Sequence, residues 1–171
     1  MSDFNSLTAS ELGDMIGQGE IDPVELTEHF LSRIQASPIG KKIYSTVTSQ
    51  LALEQAKDAK KRAISGRRLS SLDGVPISWK DLFDIKGYPC EAGSELLAGR
   101  LANQNCEVYN LAEAQGLICL GKTHMSELAF SGLGLNPVRE TPPCVNYPES
   151  VPGGSSSGAA TSVSFGLATA G

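Results

Sequence analysis

The residues best suited to chemistry lie in a glycine- and serine-rich loop near the end of the chain. This loop, Val151–Gly158, reads Val-Pro-Gly-Gly-Ser-Ser-Ser-Gly, and the small and apolar residues after it predict a buried helix over Thr161–Ala170. Glycines allow turns that other residues resist and let another group approach the backbone closely. The pattern predicts serine hydroxyls at a helix N-terminus, where free N–H groups favour an anion or a developing oxyanion.

Two familiar functions of such a loop fail on residue type. A phosphate-binding P-loop needs Lys and then Ser or Thr after its second spaced glycine, but Ala159 and Ala160 stand there. The pattern Gly-x-Ser-x-Gly of a nucleophile elbow is present at Gly154–Gly158, but an α/β-hydrolase needs a later His, and none follows His124. A flexible turn without chemistry is the remaining alternative for the loop taken alone.

A second candidate, Lys80, follows the apolar segment Val75–Trp79. In a strand, side-chain alternation places Ile77 and Trp79 on one face and Ser78 and Lys80 on the other. Water would then be scarce around the Lys80 amine, and burial lowers a lysine pKa so that the neutral amine can accept a proton. The alternative is an ordinary lysine that reaches solvent at the strand end.

Composition excludes several classes of protein. The 171 residues carry a net charge of -5 and are 40% hydrophobic, which is typical of globular proteins, and the basic residues form no nucleic-acid footprint. No apolar run is long enough to span a membrane, and Met1–Asn5 does not resemble a signal peptide. Four scattered cysteines lack metal-site spacing and predict reduced thiols. We therefore expect a cytoplasmic protein without a metal, a nucleic-acid contact or a membrane contact.

The elements that must position these residues fall into two parts. A capping box at Thr8–Glu11 and the pair Asp22-Pro23 each predict the start of a helix, and Gln50–Ile64 predicts another. A short strand is expected at Tyr44–Thr48. Glycine, proline and serine then become frequent, and apolar runs at 75–79 and 117–120 alternate with a helical pattern over 105–115, which indicates an α/β fold.

Five segments, in this order along the chain, resemble motifs of the amidase signature family of serine amide hydrolases. They are Gly74–Asp84, Ala92–Ser94, Gly121–Glu127, Gly132–Pro137 and Val151–Gly158. The resemblance implies the N-terminal portion of an α/β fold, in which a helical segment precedes a mixed β-sheet core layered with helices. We expect one domain over residues 1–171, with a helical lead-in over 1–70 and the start of the catalytic α/β core over 71–171.

The resemblance also implies roles for individual residues. Lys80 resembles the catalytic lysine, and Ser155 resembles the bridging serine that the family holds beside a cis peptide bond in a Ser-cisSer-Lys triad. The nucleophilic serine of the family belongs to a further glycine-rich stretch that would fall past Gly171. Ala129 and Ser131 bound a segment that resembles part of the acyl pocket. No cofactor or metal is implied.

The implied activity is hydrolysis of a small-molecule amide through a serine acyl-enzyme. One alternative is the glutamine-hydrolysing amidase component of a tRNA-dependent amidotransferase, which would have partner subunits. Another is a catalytically inactive, truncated product, because the nucleophile-bearing stretch is not among these residues.

Several residues depart from the family pattern or stand beside its motifs. His124 replaces a common Asn and is expected to be structural, while Glu140 and Cys144 interrupt the usual Gly and Asn and bear on substrate preference. Asp81 and Asp84 are interpreted as charges of a turn or sheet edge rather than as groups that orient Lys80.

Overall fold

The computed structural model describes residues 4–171; Met1–Asp3, part of the segment compared above with signal peptides, lie outside the described residues. The helices and strands are, in chain order, α1 (Ala9–Gln18), α2 (Pro23–Ala36), α3 (Gly40–Ile43), β1 (Tyr44–Val47), α4 (Ser49–Ile64), β2 (Pro76–Lys80), α5 (Glu107–Ala114), β3 (Ile118–Thr123) and α6 (Ser157–Ser164). Short 3-10 turns occupy Phe4–Ser6, Glu95–Leu97 and Glu127–Ala129. None of the helices within residues 4–171 combines the length and the apolarity that crossing a membrane requires.

The first two helices begin where the sequence predicts. At α1 the backbone N–H of Glu11 donates to Thr8 Oγ1 at 3.2 Å, and the backbone N–H of Thr8 donates to the Glu11 carboxylate at 2.7 Å. At α2 the Asp22 carboxylate accepts the Val24 N–H at 2.8 Å, and Pro23 occupies the first turn. Each cap satisfies amide groups that the helix itself leaves without a partner.

A mixed three-stranded sheet forms the centre of the fold, which confirms the α/β expectation. The strand order is β1-β3-β2, with β3 antiparallel to β1 and parallel to β2. All residues of β3 are buried. The alternation expected in β2 is present, because Trp79 packs against Tyr109 of α5 whereas the Ser78 hydroxyl lies 2.8 Å from that of Ser162 in α6.

The main hydrophobic core joins the helical lead-in to the sheet. Phe30 and Leu12 of the first two helices pack in one buried cluster with Val75, Leu120 and Leu167. Apolar burial of this kind stabilises both parts together. One domain over residues 1–171, divided into a helical lead-in over 1–70 and an α/β core over 71–171, stays a prediction.

The last helix is shorter than its sequence predicts. The composition of Thr161–Ala170 favours a helix throughout, but α6 ends at Ser164, and Gly166 adopts a positive φ of 63°. The chain then runs along the outer edge of β2, where the Ala170 carbonyl accepts the Ser78 N–H at 2.9 Å. A helix continued to residue 170 would leave this strand edge without a partner, and unpaired backbone groups are costly.

Candidate active site

The side chains of Lys80 and Ser155 are in direct contact. Lys80 is the last residue of β2, Ser155 lies just before α6, and Lys80 Nζ donates a hydrogen bond to Ser155 Oγ at 2.7 Å. The peptide bond between Gly154 and Ser155 is cis. Both the contact and the cis peptide are expected from the family resemblance, and the structure contains both.

Close packing of α6 on the ends of the strands places Ser155 beside Lys80. The Gly158 N–H donates to the His124 carbonyl at 2.8 Å, directly after β3. A Cβ atom at Gly158 would lie 2.6 to 2.7 Å from the backbone of His124 and Ile43. The glycine is therefore required for this approach, in agreement with the role expected for glycines in this loop.

Backbone hydrogen bonds hold the loop before α6 on its other side. The N–H groups of Gly153 and Gly154 donate to the carbonyls of Leu133 and Gly132 at 3.1 and 2.9 Å. The Ser126 N–H donates to the Ser155 carbonyl at 3.0 Å. Ser155 is thus held by its own backbone as well as by its contact with Lys80.

Ser126 lies within the motif segment Gly121–Glu127, but the sequence analysis assigns it no role of its own. It is fully buried, and its hydroxyl donates to the Ser131 carbonyl at 3.1 Å. Its N–H contact with Ser155 therefore connects the serine loop to the segment expected to form the acyl pocket. The motif does not reveal this role of Ser126, because the role comes from contacts that only the folded chain creates.

The environment of the Lys80 amine shifts its ionisation towards the neutral form. Partial burial of the side chain lowers the pKa of Lys80 from the ordinary value of 10.5. Loss of solvation penalises the ammonium ion more than the amine. In the ammonium form Lys80 donates to Ser155, and after losing a proton it becomes able to accept one.

Ala129 and Ser131, the two residues expected in the acyl pocket, lie near the loop that carries Ser155. Ser131 lines a cavity of about 860 Å³, together with Leu128, Phe130 and Leu135. Ala129 lies between two lining residues without lining the cavity itself, and its φ is 59°. The cavity wall is therefore largely apolar and adjoins the loop that carries Ser155.

Asp81 lies in the turn directly after β2, as expected, but the structure also gives its charge a buried partner. Asp81 is buried, and its carboxylate accepts a hydrogen bond from Lys122 Nζ at 2.9 Å. Asp84 follows that turn and forms a partly exposed bidentate pair with Arg100 at 2.7 and 2.9 Å. A signal for the buried pair is present in the sequence, since Lys122 interrupts a strand that is otherwise without charge.

His124 occupies a structural position, as expected. Only 8% of the residue is exposed, and its backbone contacts both Ile43 and Gly158. Burial lowers the pKa of its imidazole below 6.5. Within residues 4–171, no group of three or more His, Cys, Asp or Glu side chains is arranged to hold a metal ion.

Comparison with known proteins identifies relatives over nearly the whole chain. The family model described as Amidase matches residues 25–171. A glutamyl-tRNA(Gln) amidotransferase subunit from Acinetobacter baumannii is 36% identical, over 98% of this chain and 34% of its own length. The protein of the same name from Anaeromyxobacter dehalogenans is 39% identical, over 91% of this chain and 32% of its own length.

Solved structures of amidases also superpose on this chain. The peptide amidase of Stenotrophomonas maltophilia superposes with a TM-score of 0.87 at 26% identity, covering 97% of this chain and 35% of that enzyme. A bacterial aryl acylamidase of the amidase signature family superposes with a TM-score of 0.88 at 26% identity, covering 98% and 35% of the two chains. The chain thus spans about a third of the length of the relatives it matches. It belongs to the amidase signature family and forms an N-terminal portion of that fold.

Proposed function

We propose that these residues supply the lysine and the bridging serine of a serine amide hydrolase. The observation that carries this proposal is the hydrogen bond of 2.7 Å between Lys80 Nζ and Ser155 Oγ. A serine hydroxyl is a weak nucleophile until a neighbour accepts its proton, and a lysine can do so only when it is neutral. The lowered pKa of Lys80 supports that role.

In the proposed reaction, Ser155 relays a proton between Lys80 and a nucleophilic serine from a stretch beyond these residues. The nucleophile attacks the amide carbonyl, and the resulting acyl-enzyme forms as ammonia or an amine leaves with the relayed proton. Water then releases the acid. The chemistry is general acid-base and covalent catalysis by side chains alone.

Substitution of the two residues in the full-length protein tests these roles. Lys80→Ala and Ser155→Ala should each lower kcat/KM for amide hydrolysis by about 100-fold or more, because removal of a positioned acid-base group commonly costs that much. Matched controls are Lys86→Ala and Ser164→Ala, which alter exposed residues outside the site. Turnover within about threefold of the parent, less than about 0.7 kcal/mol of transition-state stabilisation, would show that the roles are wrongly assigned.

A second candidate is the amidase component of a tRNA-dependent amidotransferase, which hydrolyses glutamine for its partner. The identities of 36% and 39% to subunits of glutamyl-tRNA(Gln) amidotransferases favour it, since the peptide amidase is only 26% identical. Copurification of the tagged full-length protein separates the two candidates. Stoichiometric partner subunits with glutamine-dependent ammonia release support an amidotransferase, whereas amide turnover by an isolated polypeptide supports an amidase.

An inactive product of 171 residues is the remaining alternative. It predicts that a serine-directed fluorophosphonate probe does not acylate this polypeptide, and robust labelling would exclude it. A cytoplasmic location also stays a prediction; the four free cysteines are consistent with it.

A further inference from the structure

The buried ion pair between Lys122 and Asp81 has no part in the proposed reaction. The Lys122 side chain is 0% exposed and that of Asp81 is 5% exposed. Lys122 Nζ donates to Asp81 Oδ1 at 2.9 Å and to the Pro89 carbonyl at 3.0 Å. Burial of two charges is expensive and often contributes little net stability, so such a pair invites a functional explanation.

Asp81 adjoins Lys80 in the chain and is fixed through every polar group it has. Its N–H donates to the Thr123 carbonyl at 3.0 Å, which joins the ends of β2 and β3. Its carbonyl accepts the Ala92 N–H at 3.0 Å, and its second carboxylate oxygen accepts the Glu91 N–H at 3.1 Å. Together with the Lys122 contact to Pro89, these bonds fasten residues 89–92 to the strand end that carries Lys80.

The same segment supports the apolar cavity. The Ala92 carbonyl accepts the N–H of Leu128 at 2.9 Å, and Leu128 lines that cavity with a φ of 50°. The Ser94 hydroxyl donates to the Glu127 carboxylate at 2.7 Å in the next turn. A short series of direct hydrogen bonds therefore connects the neighbour of Lys80 to the cavity wall.

We propose that Lys122 is a positioning residue, whose buried pair with Asp81 fixes the strand end that carries Lys80 beside Ser155 and cancels the carboxylate charge of the neighbouring residue in the chain. The inference rests on the proposed role of Lys80 as the base. An uncompensated carboxylate next to Lys80 would favour the ammonium form, which cannot accept a proton. Lys122 neutralises the Asp81 carboxylate directly. Because both charges are buried, water does not screen them.

The other charged or titratable groups near the pair are occupied or uncharged. Asp84, after β2, is paired with Arg100. Burial raises the pKa of the Cys90 and Cys119 thiols to about 11. Burial lowers the pKa of His124, which also lies in the fields of Asp81, Glu140 and Arg139. The hydrogen-bond partner of the Lys80 amine is the neutral hydroxyl of Ser155. Lys122 is therefore the cation that contacts the Asp81 carboxylate.

A titration of Lys80 in the 171-residue chain tests the inference without requiring turnover. The ε-carbon shifts of 13C-labelled lysines, with Lys80 assigned by its Lys80→Arg variant, report each amine as the pH rises. In Lys122→Met the Lys80 midpoint should rise by about 1 pH unit, because an opposite charge left nearby stabilises the ammonium ion. In Lys122→Met with Asp81→Asn it should return to within about 0.3 unit of the parent, since both charges are then gone.

Lys60→Met is the matched control, because it breaks a more exposed lysine–aspartate pair with Asp22, the N-cap of α2, and should leave the Lys80 midpoint unchanged. An unchanged midpoint in Lys122→Met would overturn the inference, as would a rise that persists in the double variant. If Lys122→Met does not fold, Asp81→Asn is the second variant, because it keeps the side-chain shape and leaves a positive charge unpaired in place of a negative one. The Lys80 midpoint should then fall. An unchanged midpoint in Asp81→Asn would overturn the inference. Failure of the amidase proposal would be seen separately, because full-length Lys80→Ala would then hydrolyse the amide as fast as the parent.

Discussion

The amine of Lys80 acts as a base only in its neutral form, so its ionisation should be visible in the activity of the full-length protein. Because burial lowers the pKa of Lys80, we expect kcat/KM for amide hydrolysis to rise with pH. The rise should level off above a midpoint that lies below pH 10.5. Below that midpoint the rate should fall about tenfold per pH unit, in proportion to the neutral fraction. A pH–rate profile measures this, and a midpoint at or above 10.5 would contradict it.

Arg62 and Asp73 form a second pair in which one partner is buried. The guanidinium makes two hydrogen bonds to the carboxylate, at 2.7 and 2.8 Å, and the Asp73 side chain is fully buried. Arg62→Met leaves this carboxylate without its counter-ion. We expect a loss of about 2 to 3 kcal/mol in the free energy of unfolding, less than for a wholly buried pair because Arg62 is partly exposed.

Urea unfolding of Arg62→Met and Lys61→Met separates this effect from a general loss of positive charge. Lys61 precedes Arg62 on α4 and pairs with Asp58 at the surface, where both side chains are largely exposed. We expect Lys61→Met to leave the urea midpoint unchanged. Equal midpoints for the two variants would show that the buried carboxylate does not depend on Arg62.

At the scale of elements, the site depends on how closely α6 approaches the strands. Gly158→Ala places a methyl group within 2.7 Å of backbone atoms of His124 and Ile43, and backbone cannot rotate away as a side chain can. We expect a loss of about 1 to 3 kcal/mol in unfolding free energy, together with displacement of Ser155 from Lys80. Urea unfolding and the Lys80 titration measure the two effects.

Gly132→Ala provides the control for Gly158→Ala. A Cβ atom at Gly132 would meet no atom within 4 Å, and its φ lies outside the left-handed region. The stability of Gly132→Ala should therefore match or slightly exceed that of the parent, because alanine restricts the unfolded chain more than glycine does. A Gly158→Ala protein as stable as Gly132→Ala would mean that α6 does not need this close contact.

At the scale of the whole molecule, one core connects the helical lead-in to the α/β part. Phe30 of α2 is 1% exposed, and the only tryptophan of the chain, Trp79, lies in β2 within a different cluster. Phe30→Ala should cost about 3 to 5 kcal/mol, because it leaves a cavity in the core. In a single cooperative domain, the Trp79 fluorescence transition in urea should shift as far as the circular dichroism transition.

Leu82→Ala is a suitable comparison for Phe30→Ala, since Leu82 is 46% exposed and should change stability little. If Phe30→Ala moved the circular dichroism transition but left the Trp79 transition in place, the two parts would unfold independently. The expected single domain over residues 1–171 would then be wrong.

Features encoded over a few neighbouring residues could be determined from the sequence by itself. The capping box at Thr8, the start of α2 at Asp22 and the two faces of β2 depend on spacings of one to four residues, which local geometry governs. The partnership of Lys80 and Ser155 is also predictable, but only through resemblance to a family whose motifs keep their order. No local rule connects two positions so far apart in the chain.

Tertiary structure alone decided the features that depend on which elements meet. Whether Asp81 faces water or a buried lysine depends on the register that sets Trp79 beside Lys122 and Lys80 beside Thr123 in the sheet. The end of α6 at Ser164 follows from the open edge of β2, which takes residues 169 and 170 as partners in place of a continued helix. In both cases the deciding energy is the cost of a polar group left unpaired inside the fold, and that cost exists only once the elements have packed.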